Sequence, residues 1–328
     1  MKLYNLIKNN FNLIVTILFF GLLGWYFVNN QEALKSLLDV SWWVVLIMLS
    51  LKAARIFVTG LFTKFTLEAF GKSISYKEVN YLSLLSSIGN FFGPILGGAS
   101  IRAVYLKKNH DFEYSKFIST LYGFYIVTFL TNSLIGLALV ANFGLTGQRS
   151  AELLVVAAVF GFIFLANLAL VAIPGRLLHK IVGLFSFTPK RLVNVANLMI
   201  RGWETIRTDR SLIVKLFLLN IAIISMIVVE SSVIFGLFVD DWRVSSVLLY
   251  AVLGTLSTLV SVTPGAVGVK EAIFLFSATV TAITPDQILQ MATIDRSATF
   301  ILLVISYAVV KILKLDKKTV AVGNKNNF

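Results

Sequence analysis

Apolar residues dominate this chain in long unbroken runs separated by short polar stretches. Crossing a hydrocarbon core of about 30 Å takes roughly 20 apolar residues as a helix. Seven runs approach or exceed that length: Phe11 to Val28, Trp42 to Phe62, Phe117 to Phe143, Ala151 to Ile173, Leu212 to Leu237, Val244 to Val262 and Ser297 to Val310. Two further apolar stretches, Tyr81 to Tyr105 and Thr263 to Thr284, are interrupted by Pro and Gly. The pattern predicts an all-α, polytopic transmembrane helix bundle of about seven to nine spans, two of whose segments are broken and re-entrant. The polar stretches are short, so residues 1–328 read as one integral membrane domain, with a cytoplasmic loop over 174–211 and a polar tail over 316–328.

The first broken segment contains Gly89, Gly93, Pro94, Gly97 and Gly98, where a hairpin would turn. Irregular backbone is tolerated at membrane depth only where it is buried in protein or faces water. In the second, Pro264, Gly265 and Gly268 interrupt the helix, which restarts near Val269 with N-terminal amides unpaired and available to an anion. Both breaks place Gly four residues after Pro, at Pro94 with Gly98 and at Pro264 with Gly268. This short match suggests an internal repeat with discontinuous helices in equivalent positions, a common way to build a transporter site.

In the loop over 174–211, Thr188 and Pro189 read as a helix N-cap and first turn. Leu192, Val195, Met199, Trp203 and Ile206 then share one helical face, with Lys190, Arg191, Arg201 and Arg207 mostly elsewhere. Two readings stand side by side: an interfacial helix on anionic lipid, and a helix capping the bundle.

Composition agrees with the bilayer as solvent: 57% of residues are hydrophobic, only 14% are charged, and mean hydropathy is +0.85. The net charge of +13 follows topology and gives no reason to expect nucleic acid. With the N-terminus inside, 22 of the 29 Lys and Arg fall in cytoplasmic segments and four in external ones, namely Lys35, Arg149, Arg243 and Arg296. The count requires both flanks of Tyr81 to Tyr105 on one face, which makes that segment a re-entrant hairpin or a broken pair of short spanning helices. Both termini are then cytoplasmic, in a multi-pass protein of the cell membrane. Lys2 and Lys8 precede the first run, which lacks a small-residue cleavage pattern and is expected to be retained as an anchor. There are no cysteines, and the two histidines, His110 and His179, lie in polar stretches without ligand-spaced partners, so neither a metal nor a cofactor is expected.

Lys52, Arg55 and Lys270 remain inside apolar segments. Lys52 and Arg55, three residues apart, share a helix face, and each costs at least ~2.5 to 3.5 kcal/mol to bury on insertion scales. Two on one face suggest an inward anion site; the alternative is a shifted segment whose long side chains snorkel to the interface. Glu230 is a candidate counter-ion or proton carrier, or a structural salt bridge. Lys270 adds charge at the restarted helix, Glu271 there is favourable through the dipole, and Arg102 follows the first break. Asp295 and Arg296, before the last run, complete the charge set or anchor an external interface.

These residues resemble the lysylphosphatidylglycerol synthase transmembrane region family, described as flippase-like, which forms the N-terminal membrane part of the multiple peptide resistance factors. The resemblance is carried by TPGAVGVKEAIF at Thr263 to Phe274, similar to a Pro-Gly-Gly-x-Gly-x-Arg-Glu signature, by GGASIRAVYLKK at Gly97 to Lys108, by KAAR at Lys52 to Arg55, and by Arg296 opening the last run. Ala266 stands where the second Gly is usual and Lys270 where Arg is usual, which keeps charge but not bidentate phosphate geometry. The resemblance implies movement of a charged-headgroup lipid between leaflets. The soluble aminoacyltransferase half has no counterpart in these residues, so aminoacyl transfer by this chain alone is not expected.

The expected function is translocation of an anionic or polyprenyl-phosphate-linked lipid, bound by Lys52, Arg55, Arg102, Glu230, Pro264, Gly265, Gly268, Lys270, Glu271 and Arg296. The competing readings are a membrane-embedded transferase on a lipid-linked donor, and an accessory subunit of a glycosyltransferase or synthase. The transferase would need a base or nucleophile beside the phosphate, and the transporter reading is preferred.

Overall fold

The computed structural model describes residues 40–92, 97–147, 150–184, 190–257 and 269–312, which are helices joined by short connections, with no strand among them. The run at Phe11 to Val28, Thr188 and Pro189, Pro94, the stretch holding Pro264, Gly265 and Gly268, and the polar tail lie outside the described residues.

Five helices are long and apolar enough to cross a membrane: α1 Trp42–Ala69, α4 Tyr114–Leu145, α5 Ala151–Ala172, α8 Arg210–Phe238 and α12 Pro285–Ile312. At 1.5 Å per residue, 28 residues reach about 42 Å, enough to span with tilt. Two are capped by side chains: Leu153 N donates to Ser150 Oγ (3.1 Å) before α5, and Leu212 N to Asp209 Oδ1 (3.0 Å) before α8. On α5, Leu154, Val159, Phe162 and Leu165 are exposed, an apolar face with lipid as its natural solvent. The helices and their apolar outer faces make this a multi-pass membrane protein.

Between the long helices lie two pairs of short ones. α2 Tyr76–Phe92 and α3 Gly97–His110 pack antiparallel, and α9 Val244–Ser257 packs antiparallel to α10 Val269–Phe276. α2 follows α1 and α9 follows α8, and α1 and α8 run in opposite directions side by side. The two pairs therefore enter the bundle from opposite ends. The first enters from the end carrying Lys64, Lys72, Lys77, Lys107, Lys108 and Lys116. Its base is fastened by Glu78 Oε1, which accepts from His110 Nε2 (2.7 Å) and from the Tyr105 hydroxyl (2.9 Å).

α6 Gly175–Leu184 and α7 Lys190–Thr208 fold back on each other, with His179 Nδ1 donating to Asn197 Oδ1 at 2.7 Å. α7 then lies along α4, where Ile200 is buried and Trp203 and Ile206 cluster with Phe117, Leu121 and Leu212. The helix is packed on the bundle along this face, and Arg201 and Arg207 stay exposed. α11 Ala278–Thr281 is a single turn before α12.

One boundary is corrected. The last span was expected over Ser297 to Val310, but α12 begins at Pro285, so Asp295 and Arg296 lie within the helix rather than at an external interface. Its start is a capping box: Gln287 N donates to Thr284 Oγ1 (3.3 Å) and Thr284 N to Gln287 Oε1 (2.9 Å), with Pro285 at the first helical position.

The buried apolar residues form two main clusters, one toward each end of the bundle. The basic end gathers Phe62, Leu82, Leu106, Ile126, Trp203 and Leu216; the other gathers Met48, Phe143, Phe160, Phe235, Phe274 and Met291. On α1 the first cluster stops at Val58 and the second at Met48, and the turn between them carries Lys52 and Arg55.

Candidate functional site

Lys52 sits ten residues into α1 and Asp295 ten residues into α12, about 15 Å from the start of each helix. The two helices start at the same end of the bundle. Glu230, eight residues before the end of the antiparallel α8, reaches the same depth. Helix geometry alone thus brings three charged residues from distant parts of the sequence to one level.

They meet. Lys52 Nζ lies 2.5 Å from Glu230 Oε1 and 2.5 Å from Asp295 Oδ1. Arg55, one turn on, donates from an Nη atom to Glu230 Oε2 at 3.0 Å. Lys270, at the start of α10, places its Nζ 2.5 Å from Asp295 Oδ2. The result is a chain of alternating sign, Arg55, Glu230, Lys52, Asp295 and Lys270, tying α1, α8, α10 and α12 together. Beside it, Arg296 of α12 pairs with Glu271 of α10.

Alternation is what low dielectric demands. An isolated ion there costs several kcal/mol, and only close opposite charges with good geometry offset this. Burial is graded along the chain: the side chain of Lys52 is 2% exposed and that of Glu230 4%, but Asp295 and Lys270 are each 18% and Arg55 29% exposed. Both ends are cations, and both retain donors. Arg55 uses one of its guanidinium N–H groups in this contact and Lys270 one of three ammonium hydrogens. The chain carries three positive groups against two negative, so one further anion would neutralise it.

Tyr250 of α9 lies beside this network. Its ring stacks on Phe274 with centroids 3.7 Å apart, and Lys270 Nζ lies 5.6 Å from the Phe274 ring. The Tyr250 hydroxyl is buried without a hydrogen-bond partner among the described residues. Asn132 Oδ1 of α4 and Asn220 Nδ2 of α8 are likewise buried and unpartnered there.

Of the residues expected to act together, Lys52, Arg55, Glu230 and Lys270 converge, and Glu271 with Arg296 lies next to them in sequence and in the same two helices. Arg102 is not joined to this network: it is buried on α3, opposite α4. Pro264, Gly265 and Gly268 fall outside the described residues, although α10 does restart at Val269. Asp295, which holds two lysines, and Tyr250 were not among the expected site residues. The polar run around Asp295 read as loop, and a tyrosine in an apolar run carries no charge signal.

No curated protein matches the chain. A family model described as lysylphosphatidylglycerol synthase TM region matches residues 13–306, which is most of the chain and includes every residue of the buried network. The protein belongs to the lysylphosphatidylglycerol synthase transmembrane region family.

Proposed function

We propose that this protein moves an anionic or polyprenyl-phosphate-linked lipid between the leaflets of the cell membrane, with both termini on the cytoplasmic side. The observation that carries this reading is the alternating buried chain ending in two part-exposed cations with spare donors. A headgroup phosphate reaching Arg55 or Lys270 would gain charge-assisted hydrogen bonds in place of lost hydration. The two short-helix pairs entering from opposite ends support it, since discontinuous helices of this kind bracket substrate sites near the midplane. Family membership supports the lipid. The transferase reading has less support: Glu230, Asp295 and Glu271 are each already engaged by a cation of the protein.

The test is reconstitution in liposomes containing fluorescent phosphatidylglycerol, following the fraction accessible to an external quencher. Wild type is expected to exceed protein-free vesicles. Arg55→Gln should slow exchange roughly 30-fold if the lost contact is worth about 2 kcal/mol in the transition state, with Lys52 still neutralising Glu230. Wild-type exchange no faster than in empty vesicles would reject translocation of this lipid. Equal rates for wild type and for Arg55→Gln, Lys270→Gln and their double variant would remove the network from the path.

A further inference from the structure

Arg102 stands apart from the other buried cations. Lys52, Arg55, Lys270 and Arg296 each face a carboxylate. Arg102 is 6% exposed, and among the described residues it forms no ion pair and no hydrogen bond; its Nε is fully enclosed. The titratable group acting on it is the phenol of Tyr125 across the helix contact on α4, and a phenol is not an anion at neutral pH. A guanidinium cannot shed its proton as a lysine can. A buried, permanently charged group with no counter-ion among the described residues is incomplete without a further one.

Its surroundings are suited to that ligand. Arg102 lies one turn beyond Gly98, on the half of the α2–α3 hairpin that returns to the basic end. One turn along α4 from Tyr125, the Thr128 hydroxyl is buried without a hydrogen-bond partner. A planar fork of donors beside a phenol, with this hydroxyl one turn further along α4, suits the tetrahedral oxygens of a phosphate, which guanidinium engages bidentately.

We infer that Arg102, with Tyr125 and Thr128, forms a second anion site for a phosphate group, separate from the mid-depth network and on the basic side of it. The sequence alone grouped Arg102 with Lys52 and Arg55 as one phosphate site; the structure divides them. In this conformation the network is largely neutralised by its own carboxylates while Arg102 is not, so Arg102 is the first station for a phosphate arriving from the basic end. That the phosphate belongs to a lipid rests on the translocation reading; that Arg102 binds an anion does not.

The experiment measures binding, not transport. Purified full-length protein in a non-ionic detergent is titrated separately with inorganic phosphate, phosphatidylglycerol and phosphatidylcholine, reading the thermal unfolding midpoint and the binding of fluorescent phosphatidylglycerol. Phosphatidylglycerol is expected to raise the midpoint of wild type, and Arg102→Met is expected to bind it at least about tenfold more weakly. Without added anion, Arg102→Met should unfold at a higher midpoint than wild type, because an uncompensated charge has gone. Arg102→Lys keeps the charge and should bind with intermediate affinity, which separates charge from fork geometry. If inorganic phosphate alone reproduces the whole shift through Arg102, the site is an anion site and its assignment to a lipid headgroup falls. If Arg102→Met binds every probe as wild type does, or unfolds at a lower midpoint without anion, the site is overturned. Arg102-dependent binding in a protein that moves no lipid would reject translocation and keep the site; transport with unaltered binding in Arg102→Met would do the reverse.

Discussion

Asp295→Asn is expected to cost about 3 to 5 kcal/mol of stability, because it removes the one carboxylate that two buried lysines share. In the native chain Asp295 accepts from Lys52 and from Lys270, each at 2.5 Å. The amide is nearly the same shape, so packing is kept and only charge is lost. Lys52 still has Glu230, but Glu230 must then serve Lys52 and Arg55 while Lys270 faces a neutral group. Thermal or denaturant unfolding in a fixed detergent measures the loss. Asp286→Asn, at the exposed start of α12, controls for a general effect of charge and should stay within about 0.5 kcal/mol. Adding Lys270→Met to Asp295→Asn removes the stranded ammonium and should return about 1 kcal/mol or more as coupling between the two positions. A single-variant loss under 1 kcal/mol, with no recovery in the double variant, would mean that water already reaches the pair and that the chain is not a low-dielectric network.

That network was half visible in the sequence. Lys52, Arg55, Glu230 and Lys270 announce themselves because a charge inside an apolar run is costly enough to need a reason, and the helical spacing of Lys52 and Arg55 puts them on one face. Asp295 and Arg296 sit in PDQILQMATIDR, whose polar residues lower local hydropathy enough to pass for a loop. A better signal was present in Thr284-Pro285-Asp286-Gln287: a Thr three residues before Gln, with Pro at the first helical position, marks a helix start, and Ile288, Met291, Ala292 and Ile294 follow on its buried side. Hydropathy windows average over such punctuation. Pairing partners are a different matter. That Glu230 reaches Lys52 and Arg55 together, and that Arg102 reaches neither carboxylate, depends on which helices are neighbours and on their relative depth. A single chain's local pattern does not encode these. The glycines of the first segment read as a turn, but Gly89, Gly97 and Gly98 lie within α2 and α3, and their role is in what they touch.

Gly98→Val tests that role. A Cβ at Gly98 would fall against the Ser86 carbonyl oxygen and close on Asn90, one at Gly97 would fall against the Gly89 carbonyl oxygen, and Gly98 N donates to Asn90 Oδ1 at 2.9 Å. The α2–α3 pair is thus packed backbone to backbone, which only residues without side chains permit. Backbone cannot swing aside, so valine should force the two helices apart at a cost of about 3 kcal/mol. Because Arg102 lies one turn along the same face of α3, its anion site should be lost as well, while the Lys52–Asp295 contact on other helices stays. The readouts are unfolding in detergent and phosphatidylglycerol binding. Gly254→Ala in the other pair is the informative contrast: its Cβ would meet the rim of the Phe274 ring at 3.4 Å, a side chain able to yield, so the cost should be under about 1 kcal/mol. Gly161→Ala, with nothing within 4 Å on α5, should be neutral or stabilising by about 0.5 to 1 kcal/mol. Were Gly98→Val to unfold and bind like wild type, the hairpin would not be locked at its glycines, and Arg102 would owe its position to something other than the close approach of α2 and α3.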